Sequence, residues 1–198
     1  MLRLPFPNAG RLGGLALAGG VLAVLGGGAR VRRDGPPPAH TGGFGEPTCR
    51  QCHFDSQLNA PGGELVLRGL PDRYVAGRTY EVTLLLRRAG MLRGGFQLAA
   101  RFADGRAVGT QAGSLEPMDS LVAVVRDTTA VQYLEHTRAG TALTPGSDSA
   151  RWTFRWAAPA SASGAVIFHV AANAANDDDS PLGDYIYTTS ARASPTQP

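Results

Sequence analysis

Short stretches of alternating apolar and polar residues fill the chain between residues 60 and 190. Trp152, Phe154 and Trp156, for example, are separated by the polar Thr153 and Arg155. A period of two is that of a β-strand with one buried face. The pattern predicts eight strands: Glu64–Arg68, Thr79–Leu86, Gly95–Phe102, Leu121–Arg126, Ala130–His136, Trp152–Trp156, Ala165–Ala171 and Asp184–Thr189.

Turn-forming residues separate these stretches, among them Asp104-Gly105 and Pro145-Gly146. The 26 glycines and 14 prolines favour many short elements over a helical bundle. No stretch between residues 60 and 190 has a helical period of comparable quality. The sequence therefore predicts an all-β fold, an antiparallel β-sandwich over residues 61–189 with a polar, disordered tail at 190–198.

The first 29 residues have the pattern of an export segment. Arg3 and Arg11 precede the apolar run Leu12–Leu25, and small residues follow it. The run is short and rich in glycine compared with the roughly 20 residues of a membrane span. We expect residues 1–29 to be a signal peptide or, since three more arginines follow by residue 33, a retained N-terminal membrane anchor. Both interpretations place the rest of the chain in the periplasm or at the cell surface.

Residues 30–48 are rich in Pro and Gly and have no apolar period, which predicts a linker. The formal charge of +3 includes the two leader arginines. No basic stripe with interleaved aromatic residues occurs, so we expect no nucleic-acid partner.

The chain has two cysteines, Cys49 and Cys52, and His53 follows directly. C-x-x-C-H is the attachment motif of c-type haem. Two thioethers join the two cysteines to one porphyrin, and the adjacent histidine can then become the proximal ligand of the iron. Export agrees with this chemistry, because c-type haem is attached outside the cytoplasmic membrane. The motif predicts one covalent haem c on an attachment segment at residues 49–60.

Three other interpretations of the cysteine pair stay open: a small disulfide, a thioredoxin-like redox pair, and half of a zinc site. A redox pair of that kind needs a βαβ context, which the sequence does not show. Structural zinc needs four ligands at recognisable spacing, and the other histidines are not spaced as in a zinc finger.

The sixth ligand of the haem iron is expected to be His136, at the end of a predicted strand. Met91, at a predicted hairpin tip, and Met118, in a predicted loop, are the alternatives. His40 and His169 are less favoured, and an open position is also possible.

A different site is conceivable at Asp177-Asp178-Asp179, since closely spaced oxygen ligands suit calcium. A solvated turn is the favoured interpretation, because the ordered Gly and Glu of an EF-hand loop are missing. No Ser-His-Asp set, carboxylate pair or phosphate-binding loop is indicated by spacing. We therefore expect an electron carrier or haem-binding protein rather than an enzyme.

Several short segments follow one another in a characteristic order from Thr41 onward. They are Thr41-Gly42, Gly45–Cys49, Cys52-His53, Gly94–Leu98, His136-Thr137, Trp152–Pro159, Ala171–Asn176 and Gly183–Thr189. In this order they resemble the bacterial relatives of the reelin (Reeler) domain, the choice-of-anchor V domains. The resemblance implies an immunoglobulin-like sandwich on a secreted or surface protein. It implies little about biochemistry, since eukaryotic Reeler domains lack the haem motif.

Three functions remain as hypotheses. The first is an exported monohaem c-type cytochrome-like protein that passes single electrons to a redox partner protein. The second is a surface binding or adhesion module of the Reeler type whose cysteine pair is structural. The third is a haem sensor or small peroxidase with an open axial position.

Overall fold

The computed structural model describes residues 1–2 and 32–196. The export segment predicted at residues 1–29 therefore lies, apart from its first two residues, outside the described part. Among the described residues, none of the helices is long and apolar enough to cross a membrane. These residues form ten strands: β1 Gly63–Arg68, β2 Arg73–Tyr74, β3 Thr79–Arg88, β4 Arg93–Phe102, β5 Ser114–Pro117, β6 Val122–Arg126, β7 Gln132–His136, β8 Ser149–Ala157, β9 Val166–Ala175 and β10 Tyr185–Pro195. Two 3-10 helices, Cys49–Gln51 and Ala139–Thr141, complete the secondary structure of this part.

The strands form two sheets. The four-stranded sheet has the order β1-β3-β8-β5, and the six-stranded sheet has the order β2-β10-β9-β4-β7-β6. The pairings are antiparallel except for the short parallel pair of β2 with β10. The predicted all-β sandwich is confirmed, and each of the eight predicted strands is present with shifted ends.

Large aromatic side chains fill the space between the sheets. Trp152, Phe154 and Trp156 point inward from β8 and are 1% exposed or less, as their alternation with polar residues predicts. Trp156 meets Phe168 of β9 edge-on, with 5.0 Å between ring centroids. Trp152 packs on Phe96 of β4 at 4.6 Å. The aromatic residues of β8 therefore join one sheet to the other.

The outer face of the six-stranded sheet is also covered. Every residue of β7 is buried, and so are most residues of β4. Part of the cover is the segment predicted as a linker, residues 30–48, whose described part packs on this face. Gln97 of β4 accepts the His40 N–H at 2.7 Å and donates to the Pro37 carbonyl at 3.0 Å. The Pro and Gly content of this segment, on which the linker prediction rested, gives no sign of these contacts.

Two short strands and the chain end differ from the prediction. β2 and β5 were missed because two and four residues are too few to show a period. The tail predicted from Ser190 is instead a continuation of β10 to Pro195, with Ala193 fully buried. This extension exists because residues 190–193 pair with β9 and the last two, Ser194 and Pro195, pair with β2.

The core predicts the consequence of removing Trp152. Its indole nitrogen donates to the Gly140 carbonyl at 2.8 Å, so truncation loses both packing and a buried hydrogen bond. We expect Trp152→Ala to lower the free energy of unfolding by roughly 3–5 kcal/mol, measured by denaturant titration. Arg151→Ala, at an exposed position of the same strand, should change it by less than about 0.5 kcal/mol. Equal losses in the two variants would contradict the assignment of Trp152 to the core.

Candidate functional site

A pocket of about 120 Å³ that opens to solvent lies where the cysteine motif meets the six-stranded sheet. This volume is below the range of about 300–1,000 Å³ that small-molecule and cofactor sites occupy. We call it the cysteine pocket. Its lining includes Cys49, Cys52, His53, His40, His136, Gly94, Gly95 and Phe96.

The two cysteines face this pocket because of a tight turn. Thr48 begins the 3-10 helix Cys49–Gln51, and its hydroxyl accepts the Arg50 N–H at 3.2 Å. The N–H groups of Cys52 and His53 both donate to the Cys49 carbonyl, at 3.2 and 3.0 Å. Residues three apart lie on the same side of a 3-10 helix. The sulfur atoms of Cys49 and Cys52 are thereby presented together, and both residues are free cysteines.

The Cys49 sulfur is an unreactive thiol in this state. Burial, with a smaller contribution from nearby Cys52, raises the pKa of the Cys49 thiol to about 12. Redox-active cysteine pairs need the opposite, a thiol pKa lowered by a helix N-terminus or a cation. The thioredoxin-like interpretation of the pair therefore has no support from the electrostatics.

His53 is held by a carboxylate. Its Nδ1 lies 2.6 Å from Oδ2 of Asp184, which is almost completely buried, and 3.3 Å from the side-chain nitrogen of Asn173. The imidazole lines the cysteine pocket and is about one fifth exposed. Among the described residues its Nε2 has no hydrogen-bond partner, so this nitrogen is available to a ligand.

His136 lines the same pocket from the end of β7. Its Nδ1 contacts the backbone of Phe96, 2.9 Å from the nitrogen and 3.1 Å from the oxygen. Burial lowers the pKa of the imidazole, so the ring is neutral near pH 7, the form that binds metals. Gly95 is required for this close approach, since a Cβ there would lie 2.8 Å from the ring.

The other proposed sixth ligands are placed less favourably. Met91 lies in the connection between β3 and β4, but it is 3% exposed, packs in the sandwich core and does not line the cysteine pocket. Met118 is 38% exposed, and neither it nor His169 lines the cysteine pocket. His40 does line it, but its Nε2 lies 2.5 Å from the Gln51 side-chain oxygen and its Nδ1 3.0 Å from the Pro37 carbonyl. The structure thus brings His136 and His40 together with the attachment motif.

Paired charges surround the mouth of the pocket. Arg93 Nε and Arg33 Nη2 contact Asp177 and Asp179, each at 2.5 Å. The hydrogen bond from Arg93 is the main cause that lowers the Asp177 pKa. Within the described ranges no three His, Cys, Asp or Glu side chains are grouped as a metal-ion site. The acidic loop predicted as a solvated turn is therefore an ion-paired turn, with the carboxylates of Asp177 and Asp179 directed to arginines.

Two polar clusters hold the segment that carries the cysteines, and spacing alone did not reveal them. In the first, Gln97 bridges the segment to Glu135 of β7, donating to its carboxylate at 2.9 Å. Burial raises the Glu135 pKa to about 7. Gly35 packs so closely that a Cβ there would overlap the Glu135 carboxylate. The first cluster thus fixes residues 35–40 on the sheet.

The second cluster fixes residues 41–46. Glu46 is paired with Arg101 of β4 and accepts from the Tyr133 hydroxyl at 2.7 Å and the Thr41 hydroxyl at 2.5 Å. Arg101 and Tyr133 point to the outer face of their strands. An arginine on the outer face of a strand normally reaches solvent. The pairing of Arg101 with Glu46 could therefore not be found from sequence.

Comparison with solved structures finds several chains of low sequence identity. The reeler domain of human F-spondin is 19% identical, with 74% of this chain and 99% of that chain covered and a TM-score of 0.48. A protein that catalyses macrocyclization in alchivemycin A biosynthesis is 15% identical, covering 71% and 92%, with a TM-score of 0.44. A cohesin module from a Clostridium perfringens family 33 glycoside hydrolase is 9% identical, covering 68% and 98%, with a TM-score of 0.41. No protein-family model matches the chain, and neither does any curated protein.

The buried Glu135 predicts a pH-dependent stability. Its folded-state pKa of about 7 exceeds the ordinary 4.5, so the folded state holds this proton more tightly than the unfolded state. Stability from this group is fully present below about pH 4.5 and is lost as the pH rises through 7. In the wild type we expect the free energy of unfolding to fall by an amount on the order of 2–3 kcal/mol as the pH rises from 4 to 8. Glu135→Gln should remove this fall, as measured by denaturant titration over the same pH range.

The control is Glu116→Gln, the same chemical change at an exposed position of β5. It should leave the wild-type pH profile intact. An unchanged profile for Glu135→Gln would show that the carboxylate ionises normally in the folded chain.

Proposed function

We propose that this chain is an exported haem protein that carries one haem c on Cys49 and Cys52, uses His53 as proximal iron ligand, and exchanges single electrons with a redox partner protein. One observation carries the proposal. The two thiols and the imidazole of the attachment motif line one pocket that opens to solvent, and a second buried imidazole, His136, lines the same pocket.

The residues present fit this group. The two free cysteines lie on one tight turn, as two thioether bonds to a single porphyrin require, and His53 keeps Nε2 unpartnered among the described residues. A porphyrin supplies four iron ligands itself, so a protein needs to give only one or two axial ligands. The lack of a three-residue metal group among the described residues is therefore compatible with haem. Gly94, Gly95 and Phe96 add a wall with little polar side-chain surface.

Each side chain that lines the pocket near the motif would have a role in binding haem. Cys49 and Cys52 would anchor the cofactor, and His53 and His136 would supply axial nitrogen ligands. Arg33 and Arg93 line the mouth of the pocket, where cationic side chains suit carboxylates. When bound, haem iron supplies one-electron redox chemistry. With His136 as a second ligand the iron would be six-coordinate, as in an electron carrier, whereas an open position would suit a sensor or peroxidase.

A surface binding module of the Reeler type is the second candidate. The likeness to the F-spondin reeler domain favours it, and none of the three solved structures named above is described as a cytochrome. In that case Cys49 and Cys52 would serve a structural role, for example as a disulfide, and the N-terminal segment would hold the module at the membrane. The two proposals differ in one measurable property, covalent haem.

The attachment motif predicts covalent haem directly. We expect the intact mass of protein produced with a cytochrome c maturation system to include one haem, retained on denaturing gels. Cys49→Ser combined with Cys52→Ser should abolish retention, whereas His169→Ala, outside the pocket, should not affect it. A wild-type mass reduced only by the two hydrogens of a disulfide would favour the binding module.

His136 predicts the coordination state. If it binds iron, the reduced wild-type protein should bind carbon monoxide weakly and His136→Ala should bind it readily, since the variant leaves one axial position open. Absorption spectra recorded with and without carbon monoxide measure this. His40→Ala is the matched control and should behave as wild type. A far-red methionine–iron band in wild type that persists in His136→Ala would rule out His136.

A further inference from the structure

A buried carboxylate lies directly behind the histidine of the attachment motif. Asp184, the residue before β10, is 1% exposed. Its Oδ2 lies 2.6 Å from the Nδ1 of His53. The attachment motif itself does not include Asp184, which is more than 130 residues away in the sequence.

Asp184 is held in place from two sides besides His53. Its Oδ1 accepts the backbone N–H of Asn176 at 3.1 Å, and its Oδ2 accepts the side-chain N–H of Asn173 at 2.9 Å. Asn173 lies on β9 and Asn176 directly follows that strand, so the antiparallel pair of β9 and β10 builds the carboxylate's surroundings. A carboxylate with three donors is rigid, and its position is set by the sheet.

This arrangement determines which nitrogen of His53 carries the proton. An ionised carboxylate has only acceptor atoms, and Oδ2 of Asp184 also accepts from the side-chain nitrogen of Asn173. Nδ1 of His53, 2.6 Å from the same carboxylate oxygen, must therefore carry a proton and donate it. The lone pair of a neutral ring then lies on Nε2, the nitrogen without a partner among the described residues.

We propose, on the basis of the haem function above, that Asp184 is a positioning residue that fixes the His53 ring as an iron ligand through Nε2 and lowers the reduction potential of the iron. A metal-bound histidine commonly donates its other N–H to a carboxylate, which orients the ring and raises its basicity. A more basic axial ligand favours ferric over ferrous iron. The negative charge of Asp184, buried behind the ring, acts in the same direction.

The expected change in reduction potential follows from the known effect of losing a carboxylate partner of a ligand histidine. Losing an outer partner of this kind costs about 10- to 100-fold in metal affinity. If the site loses affinity mainly for ferric iron, the equilibrium ratio of ferric to ferrous iron changes by the same factor. A tenfold change corresponds to about 59 mV for one electron, so removing the charge should raise the potential by about 60 to 120 mV.

The test uses Asp184→Asn in the full chain, matured with covalent haem. The amide has nearly the size of the carboxylate and keeps an oxygen that can accept from His53, but it has no charge. The control, Asp178→Asn, removes the same charge from a residue that also lines the pocket but contacts Asn176 and Ser180 rather than His53. Intact mass and redox titration are measured for both variants and for wild type.

The inference predicts a rise of about 60 to 120 mV in Asp184→Asn and a clearly smaller change in Asp178→Asn. Equal shifts, or none, in two haem-loaded variants would overturn the role of Asp184 and leave the haem function standing. Wild-type protein without covalent haem would overturn both.

A measurement on the wild type covers the case in which Asp184→Asn does not fold. In the reduced, haem-loaded protein, the Nδ1 proton of His53 should exchange slowly with solvent in proton NMR, because a buried carboxylate accepts it. Rapid exchange of that proton would overturn the inference without any variant.

Discussion

The attachment of residues 33–48 to the outer face of the six-stranded sheet is the contact on which the candidate site depends. This segment ends in the turn that carries Cys49 and Cys52, so its position decides what the thiols face. Two buried polar clusters hold it, one built on Gln97 and Glu135 and one on Arg101 and Glu46. An unpaired charge in such a place would cost several kcal/mol. The segment and the sheet therefore pair most of each other's buried polar groups, while Nε of Arg101 has no partner among the described residues.

The sandwich provides the rigid support for this attachment. β4 has inward residues packed on the aromatic core and outward residues bonded to the segment, and β7 is buried along its whole length. Gly95 of β4 and His136 at the end of β7 form a wall of the pocket. Asp184, directly before β10, lines the same pocket. His53, which follows the segment, thus contacts the carboxylate of Asp184, the residue directly before β10. The site is an interface between a short N-terminal segment and a preformed sheet.

The sequence predicted features that depend on local pattern and could not predict those that depend on contacts across the fold. The alternation in β8 identified its buried aromatic face, and the spacing of Cys49, Cys52 and His53 identified the candidate chemistry. By contrast, the packing of the Pro/Gly-rich segment depends on partners 55 or more residues away, such as Arg101 for Glu46. Met91 illustrates the same limit, because its neighbours place it in the core although its position suggested a loop tip. His136 was chosen as a ligand on sequence position, and the folded chain brings it to the pocket of His53.

The central claim, that the cysteine pocket holds haem iron between His53 and His136, can be tested most directly by crystallography. Crystals of the exported protein, produced with a cytochrome c maturation system, would be measured at the iron absorption edge. The account predicts one anomalous iron peak within bonding distance of an imidazole nitrogen of His53, with His136 on the opposite side and continuous density from both cysteine sulfurs to a porphyrin. A pocket without iron, beside a Cys49–Cys52 disulfide, would contradict it.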